Sequence, residues 1–436
     1  MKKLLTPVSA FQLYHVIRYG ALILTGIVFT KTSLTQADIG QWEMFLLLAG
    51  AVTFFWLTGL LKAMLVMKLP GSGEADRGAA LFTTFVVISL LSLMSAGFLA
   101  VAGRGFSRFL LNGSPVPFMP LLMVFLVIGV PSNLIEYLYL FKGENRKIVR
   151  YGIISFLFQL GLVLVPAVAG MGLRAALAGL VFSMAGRYFW LLFLLLKGRK
   201  PVFSVPLARR LLVLGWPLVA ATLLSGSAQY VDSFIITSRF DREAFALFQY
   251  GARELPFAVL LANALSTSML PAFAQPGRLA SNLRDLKNNT RTLMHVLFPG
   301  SALLLLLTHP LYPLFFNASF AGSATIFNIY LLLVMSRLVF PQTILTGLNH
   351  TRPILGASAI ELAVNVAVSL LLVGRMGLPG VAAGTVVAYG VEKIVLAGLV
   401  RRKLGIRPHE YIPLKLLGLY SAALLALFFL VELIAH

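Results

Sequence analysis

Long apolar runs fill this chain, separated by short polar or basic turns. A helix needs roughly 20 apolar residues to cross a bilayer. Thirteen segments satisfy that length: 11–31, 42–67, 79–102, 118–141, 149–170, 173–197, 208–238, 243–272, 290–314, 322–347, 353–374, 379–400 and 413–433. The connections between them are short; the longest, near 273–290, is polar and charged. No room is left for a soluble domain, so the pattern predicts an all-α polytopic transmembrane bundle.

Composition agrees. The 436 residues are 59% hydrophobic and 12% charged, whereas soluble domains are typically about 45–50% apolar and about 25% charged. Met1-Lys2-Lys3-Leu4-Leu5 resembles the start of a signal peptide, but Pro7 and Ser9 interrupt the run. It reads as an amphipathic lead-in to the first span. The chain has no cysteine, which removes disulfides, thiolate metal sites and cysteine nucleophiles.

The net charge of +21 changes meaning once it is mapped. With the N-terminus placed in the cytoplasm, 23 of the 36 Lys and Arg fall in cytoplasmic loops and seven in the opposite ones. The cytoplasmic set includes Lys2, Lys3, Lys68, Lys142, Lys147, Lys197, Arg199, Lys200, Arg401 and Arg402. This is the positive-inside asymmetry of a membrane protein, so the charge needs no nucleic acid to explain it.

The chain also repeats itself. Met171-Gly172-Leu173 with Ala178-Gly179 recurs as Met376-Gly377-Leu378 with Ala383-Gly384, shifted by 205 residues. Pro131 and Pro341 head further segments at corresponding places. The spans group as six, six and one. An even number per half predicts two six-helix lobes related by a pseudo-two-fold along the membrane normal. The expected divisions are 1–200 and 201–403 for the lobes, and 404–436 for an extra C-terminal transmembrane helix.

The remaining charges lie where lipid should be. The spans contain Arg18, Lys62, Arg187, Arg253, Arg337 and Lys393, with Glu136, Asp232, Glu254, Glu361 and Glu392. Each charge near a bilayer centre costs about 2.5–3.5 kcal/mol on insertion scales, so such groups normally face a bundle interior or a wet cavity. Lys62 and Lys393 lie near span ends and could snorkel. Arg187, Arg253 and Arg337 lie near mid-span, with Arg18 closer to the cytoplasm. The spans of Arg18, Arg187 and Arg337 hold no carboxylate, and Arg253 and Glu254 are neighbours that point about 100° apart on a helix. These arginines therefore need acids from other helices, ordered water, or an anionic ligand. A guanidinium fork matches phosphate oxygens with paired hydrogen bonds. Asp232 reads either as a cation or proton site or as an arginine's partner. Prolines 131, 166, 217, 256 and 341 are kink points suited to a rocking transporter.

Enzyme motifs are absent: no P-loop, GxSxG, HExxH or clustered histidines is found. No cofactor is implied. An acidic or aromatic cavity would favour a drug/cation antiporter, and a scatter of lateral ion pairs a non-transporting assembly factor.

Three local patterns carry a resemblance. They are Ala37-Asp38-Ile39-Gly40-Gln41-Trp42, then Tyr230-Val231-Asp232-Ser233-Phe234 followed by Ala244-Phe245-Ala246-Leu247-Phe248-Gln249-Tyr250, and the repeated Met-Gly-Leu turn. With the two six-helix halves, the chain to about residue 400 resembles the multidrug/oligosaccharidyl-lipid/polysaccharide (MOP) flippase superfamily. More narrowly, it resembles bacterial flippases that export O-antigen or capsule repeat units on undecaprenyl pyrophosphate. The resemblance implies a multi-pass bacterial inner-membrane protein with two lobes, a cationic central cavity and alternating access. It also implies an ion gradient (H+ or Na+), a lipid-linked oligosaccharide substrate and membrane lipid as partners. Arg18, Arg187, Arg253, Arg337 and Lys62 are the expected headgroup contacts, and Asp232, Glu254 and Glu361 the ion-coupling or salt-bridge acids. Family members commonly have 12 or 14 spans, so the thirteenth is a departure.

Overall fold

The computed structural model describes residues 6–67, 74–113, 115–197, 202–254, 256–273, 277–348 and 350–435. Lys2, Lys3, Lys68, Arg199 and Lys200 of the basic map lie outside them. Among the described residues all regular structure is helical. We label α1 Pro7–Phe29, α2 Gln36–Ala51, α3 Phe54–Val66, α4 Glu74–Leu110, α5 Met119–Phe141, α6 Asn145–Val168, α7 Gly172–Leu196 and α8 Val205–Gly226. These are followed by α9 Ala228–Arg239, α10 Arg242–Gly251, α11 Pro256–Phe273, α12 Leu279–Phe315, α13 Ser323–Arg337, α14 Pro341–Gly347, α15 Arg352–Met376, α16 Leu378–Leu404 and α17 Leu414–Ala435.

Ten of these helices are long and apolar enough to cross a membrane, or up to twelve when two bent pairs each count as one span. The pairs are α2 with α3, bent by 50°, and α13 with α14, bent by 45°. Many large apolar side chains are exposed, among them Phe189, Trp216, Leu371, Ile394 and Leu433. In water such a surface would drive aggregation; in lipid it is the solvated face. The protein is a multi-pass membrane protein.

The expected thirteen spans need correction at the eighth. The run 243–272 is not one helix but α10 and α11, and the apolar part of α11, Phe257–Leu270, is short for a crossing. Proline at 256 has no N–H to continue the α10 ladder and disfavours helix in the residue before it. The seventh run is likewise broken, at Ser227 between α8 and α9. Bends elsewhere have local causes. Between α2 and α3, the Thr53 hydroxyl donates to the Ala49 carbonyl at 2.7 Å and the Trp56 indole to the Val52 carbonyl at 2.8 Å. Side chains thus take carbonyls the helix ladder gives up. In α5 a π-helical turn, Phe125–Gly129, precedes Pro131, which cannot donate to that ladder.

The chain divides into two compact units. The first comprises residues 1–226 with 237–246, and the second 227–236 with 247–436. This division follows contacts, whereas the expected border at residue 200 follows the repeat. In the first unit α8 lies against α3, because Gly59 lets the Val219 backbone approach; a methyl there would sit 2.7 Å from Val219 Cα. The second unit has its core in α11, α12, α13 and α14, including Phe273, Leu286, Met294, Leu305, Leu338 and Ile344. α17 belongs to this unit and docks on α12. The His295 ring nitrogen and the Tyr420 hydroxyl meet at 2.8 Å, and Glu432 accepts from Asn328 at 2.6 Å beside His309 at 3.1 Å.

The sequence repeat has a structural counterpart in two helical hairpins, α6–α7 and α15–α16. Gly172 and Gly377 both have positive φ, 79° and 62°, where the turn demands a left-handed backbone. Gly179 and Gly384 both lie at a seam. A methyl on the first would collide with the Leu162 carbonyl, and on the second with the Ser369 side chain and backbone. Small residues allow such close helix approach in membranes.

Candidate functional site

The first unit gathers its charges around Glu136. This residue of α5 is 2% exposed, and its Oε2 has no hydrogen-bond partner among the described residues. It lies in the field of both Arg18 on α1 and Arg187 on α7. Helix α1 brings Tyr14 and Arg18 to one face by their four-residue spacing. The Tyr14 ring fits because α6 has Gly152 opposite it, where a methyl would sit 2.9 Å from the ring.

Arg187 is held by neutral groups. Its Nη2 donates to Gln159 Oε1 at 2.8 Å and reaches the Ser155 carbonyl at 3.5 Å. Its guanidinium carbon stands 4.5 Å from the centre of the Phe156 ring. Ser155 and Gln159 share a face of α6. The Arg187 Nε is buried without a hydrogen-bond partner among the described residues. The Arg187 side chain is therefore oriented by neutral partners, and among the described residues it makes no direct salt bridge, with Glu136 acting on it only at longer range. Arg18 and Lys62 are exposed.

The second unit treats its charges differently. Arg337 donates from Nε to Glu254 Oε1 at 2.6 Å and from Nη2 to Glu254 Oε2 at 2.7 Å. This paired geometry is the strong form of an ion pair, and the guanidinium also covers the Tyr389 ring at 4.7 Å. Glu254 is thus the salt-bridge partner of Arg337, while its neighbour Arg253 rests over the Tyr250 ring at 4.5 Å. Lys393 pairs with buried Glu392 at 2.8 Å. Glu361 is 5% exposed and lies in the field of Glu392, Lys393, Arg337 and Asp232.

Asp232 forms a separate polar pocket within this unit. It is 2% exposed, and its Oδ2 accepts from the Tyr330 hydroxyl at 3.2 Å and from the Thr385 hydroxyl. Thr385 in turn accepts from Asn365 Nδ2 at 3.1 Å. Asp232 Oδ1 and Asn365 Oδ1 are buried with no hydrogen-bond partner among the described residues. Among the described residues the hydrogen bonds to Asp232 come from the Tyr330 and Thr385 hydroxyls rather than from an arginine. Among the described residues no cluster of three or more His, Cys, Asp or Glu could hold a metal ion.

Residues 33–325 match the family model described as polysaccharide biosynthesis protein. The chain belongs to this family. Solved structures with the same fold include the lipid II flippase MurJ in an inward closed conformation, at 16% identity and TM-score 0.70, covering 97% of this chain and 93% of that one. An inward-facing multidrug resistance MATE transporter of the MOP superfamily aligns at 14% identity and TM-score 0.64, over 90% and 94% of the two chains. A MOP superfamily transporter from Pyrococcus furiosus, described as having a binding pocket of reverse polarity, aligns at 13% identity and TM-score 0.60, over 91% and 94%. No curated protein matches by sequence. These structural neighbours are described as a flippase and as MOP-superfamily transporters, and this chain shares their fold.

Sequence reasoning missed the partners. Gln159, Asn365 and Asn328 are amides in apolar runs, and that oddity was the available signal for each polar site. The Arg337–Glu254 pair had none, because its members are 83 residues apart.

Proposed function

We propose that this protein flips a lipid-linked, pyrophosphate-bearing oligosaccharide across the bacterial inner membrane for surface polysaccharide synthesis. In this reading the N-terminus is cytoplasmic and the mechanism is alternating access. Residues 1–200 and 201–403 act as the two lobes, and 404–436 adds a helix to the second. The observation that carries the reading is Arg187: a mid-span guanidinium oriented by neutral Gln159 and Phe156, with its Nε unengaged. A phosphate oxygen supplies the missing acceptor, and Arg18 adds a second cation beside the buried acid Glu136. Membership of a polysaccharide biosynthesis family supports this substrate class. Arg337, committed to Glu254, has a structural role, and Arg253 over Tyr250 and exposed Lys62 are secondary contacts.

Asp232 supplies the coupling. Its vacant lone pairs and those of Asn365 suit a proton or a sodium ion. Binding there would neutralise a buried carboxylate, and this gives the ion gradient a hold on the second unit. Glu361 is the reserve acid.

The test is purification from native membrane and native mass spectrometry of bound lipid. A polyprenyl-pyrophosphate glycan on the wild type, lost in Arg187→Ala, is the expected result. Bulk phospholipid alone in both would sink the proposal and favour the drug/cation antiporter reading of the same fold. Asp232→Asn should retain the glycan yet lose gradient-driven transport in vesicles.

A further inference from the structure

A second cationic pocket in the first unit stands apart from the Arg187 site in chemistry and is used by nothing above. It is a cavity of about 670 Å³ where the ends of three helices meet. Lys142 follows the last turn of α5, Lys147 stands in the first turn of α6, and Lys197 follows the last turn of α7. All three line the cavity, with Glu144 as its one acid. Lys147 bonds Glu144 at 2.6 Å, so that pair is matched. Lys142 and Lys197 are exposed, and neither takes part in an ion pair with Glu144.

The rest of the wall is apolar and aromatic. Trp190 donates its indole N–H to the Tyr139 hydroxyl at 3.2 Å, so that bond orients the two rings. Lys197 Nζ lies 5.4 Å from the centre of the Phe193 ring, and Leu138 and Leu194 complete the lining.

Each part has a physical reading. Lysines at the carboxyl ends of α5 and α7 first offset the partial negative charge of those termini. That accounts for about half a charge per helix end and leaves a cationic surplus. Tryptophan and tyrosine favour the headgroup level of a bilayer, where basic residues attract anionic lipid. A soluble anion needs only the lysines, whereas a lipid also uses an apolar wall running from them along α7. Phe193 and Leu194 form that wall.

We propose that this pocket binds the phosphodiester headgroup of an anionic phospholipid, with the lipid chains along α7. The site would tie the first unit to an anionic leaflet at the basic end of its helices. It is independent of the substrate proposed above.

The test uses the full-length protein in detergent, titrated with phosphatidylglycerol or phosphatidylcholine and read by native mass spectrometry. Wild type should retain phosphatidylglycerol in preference to phosphatidylcholine. Lys142→Gln/Lys197→Gln should weaken that retention by about ten-fold. Lys142→Arg/Lys197→Arg should keep it, and this shows that the pocket still folds. Arg401→Gln/Arg402→Gln, which removes the same charge elsewhere, should change nothing. Equal loss in both glutamine variants would mean a diffuse charge effect and overturn the site. Displacement of the lipid by millimolar inorganic phosphate would assign the lysines to a soluble anion, and would equally overturn it.

Discussion

Arg337 in the second unit and Arg187 in the first are held in opposite ways. In the second, Arg337 and Glu254 cancel each other through two short bonds, and Lys393 cancels Glu392. In the first, Arg187 leans on an amide and an aromatic face and keeps its charge. Depth in the membrane is the same argument for both arginines, yet it does not distinguish them. What distinguishes them is the formal charge of the partner. A matched, half-buried ion pair is a finished structure, whereas a cation held by neutral groups is half of an interaction.

This contrast can be broken most forcefully at the finished pair. Glu254→Ala should lower stability by about 3 kcal/mol, because it strands a largely desolvated guanidinium. Glu254→Leu/Arg337→Met should recover most of that loss, since an apolar replacement of both members is often neutral. Thermal unfolding in detergent reads both, and a double variant as unstable as the single would refute the matched-pair account. The unfinished cation predicts the reverse. Arg187→Ala should leave the unfolding temperature near wild type while weakening headgroup binding by about 2 kcal/mol, roughly thirty-fold. A large stability loss there would make Arg187 structural and erase the contrast.

A finer comparison sets the two hairpins side by side. Gly179→Val and Gly384→Val should each cost about 1–3 kcal/mol by overpacking, and by similar amounts if the repeat is structural. Alanine at Gly161, which has no neighbour within 4 Å, is the neutral control. The smallest effect is expected at the last helix. His309→Gln should cost about 1 kcal/mol, since Asn328 still donates to Glu432. Loss of α17 docking from that change alone, seen as new proteolytic cleavage before Leu414, would show the histidine to be indispensable.

What could be read from the chain depended on range. Apolar runs near 20 residues declared most spans, because lipid thickness is a local ruler. The repeat was legible because Gly172 and Gly377 answer a purely local demand of the turn. The break between α10 and α11 was signalled by Pro256, yet the run around it remained apolar enough to pass as one helix. Partners were another matter. Nothing near Arg337 points to Glu254, and nothing near Asp232 points to Thr385, because helix packing chooses those pairs. The expected headgroup set of five cations therefore splits: Arg187 and Arg18 keep an uncancelled charge, while Arg337 does not. Arg253 and Lys62 carry weaker geometric support.

The seams at Gly179 and Gly384 have a mechanical consequence. Where a backbone carbonyl or a serine occupies the space of a side chain, neither helix can slide along its neighbour without collision. Each hairpin is then a stiff spar, built twice from the same plan. The helix ladder is interrupted elsewhere, at Ser227 and after Gly251. In the alternating access proposed above, the two hairpins would be the stiff parts, and the interruptions the places where a single added or removed residue is felt.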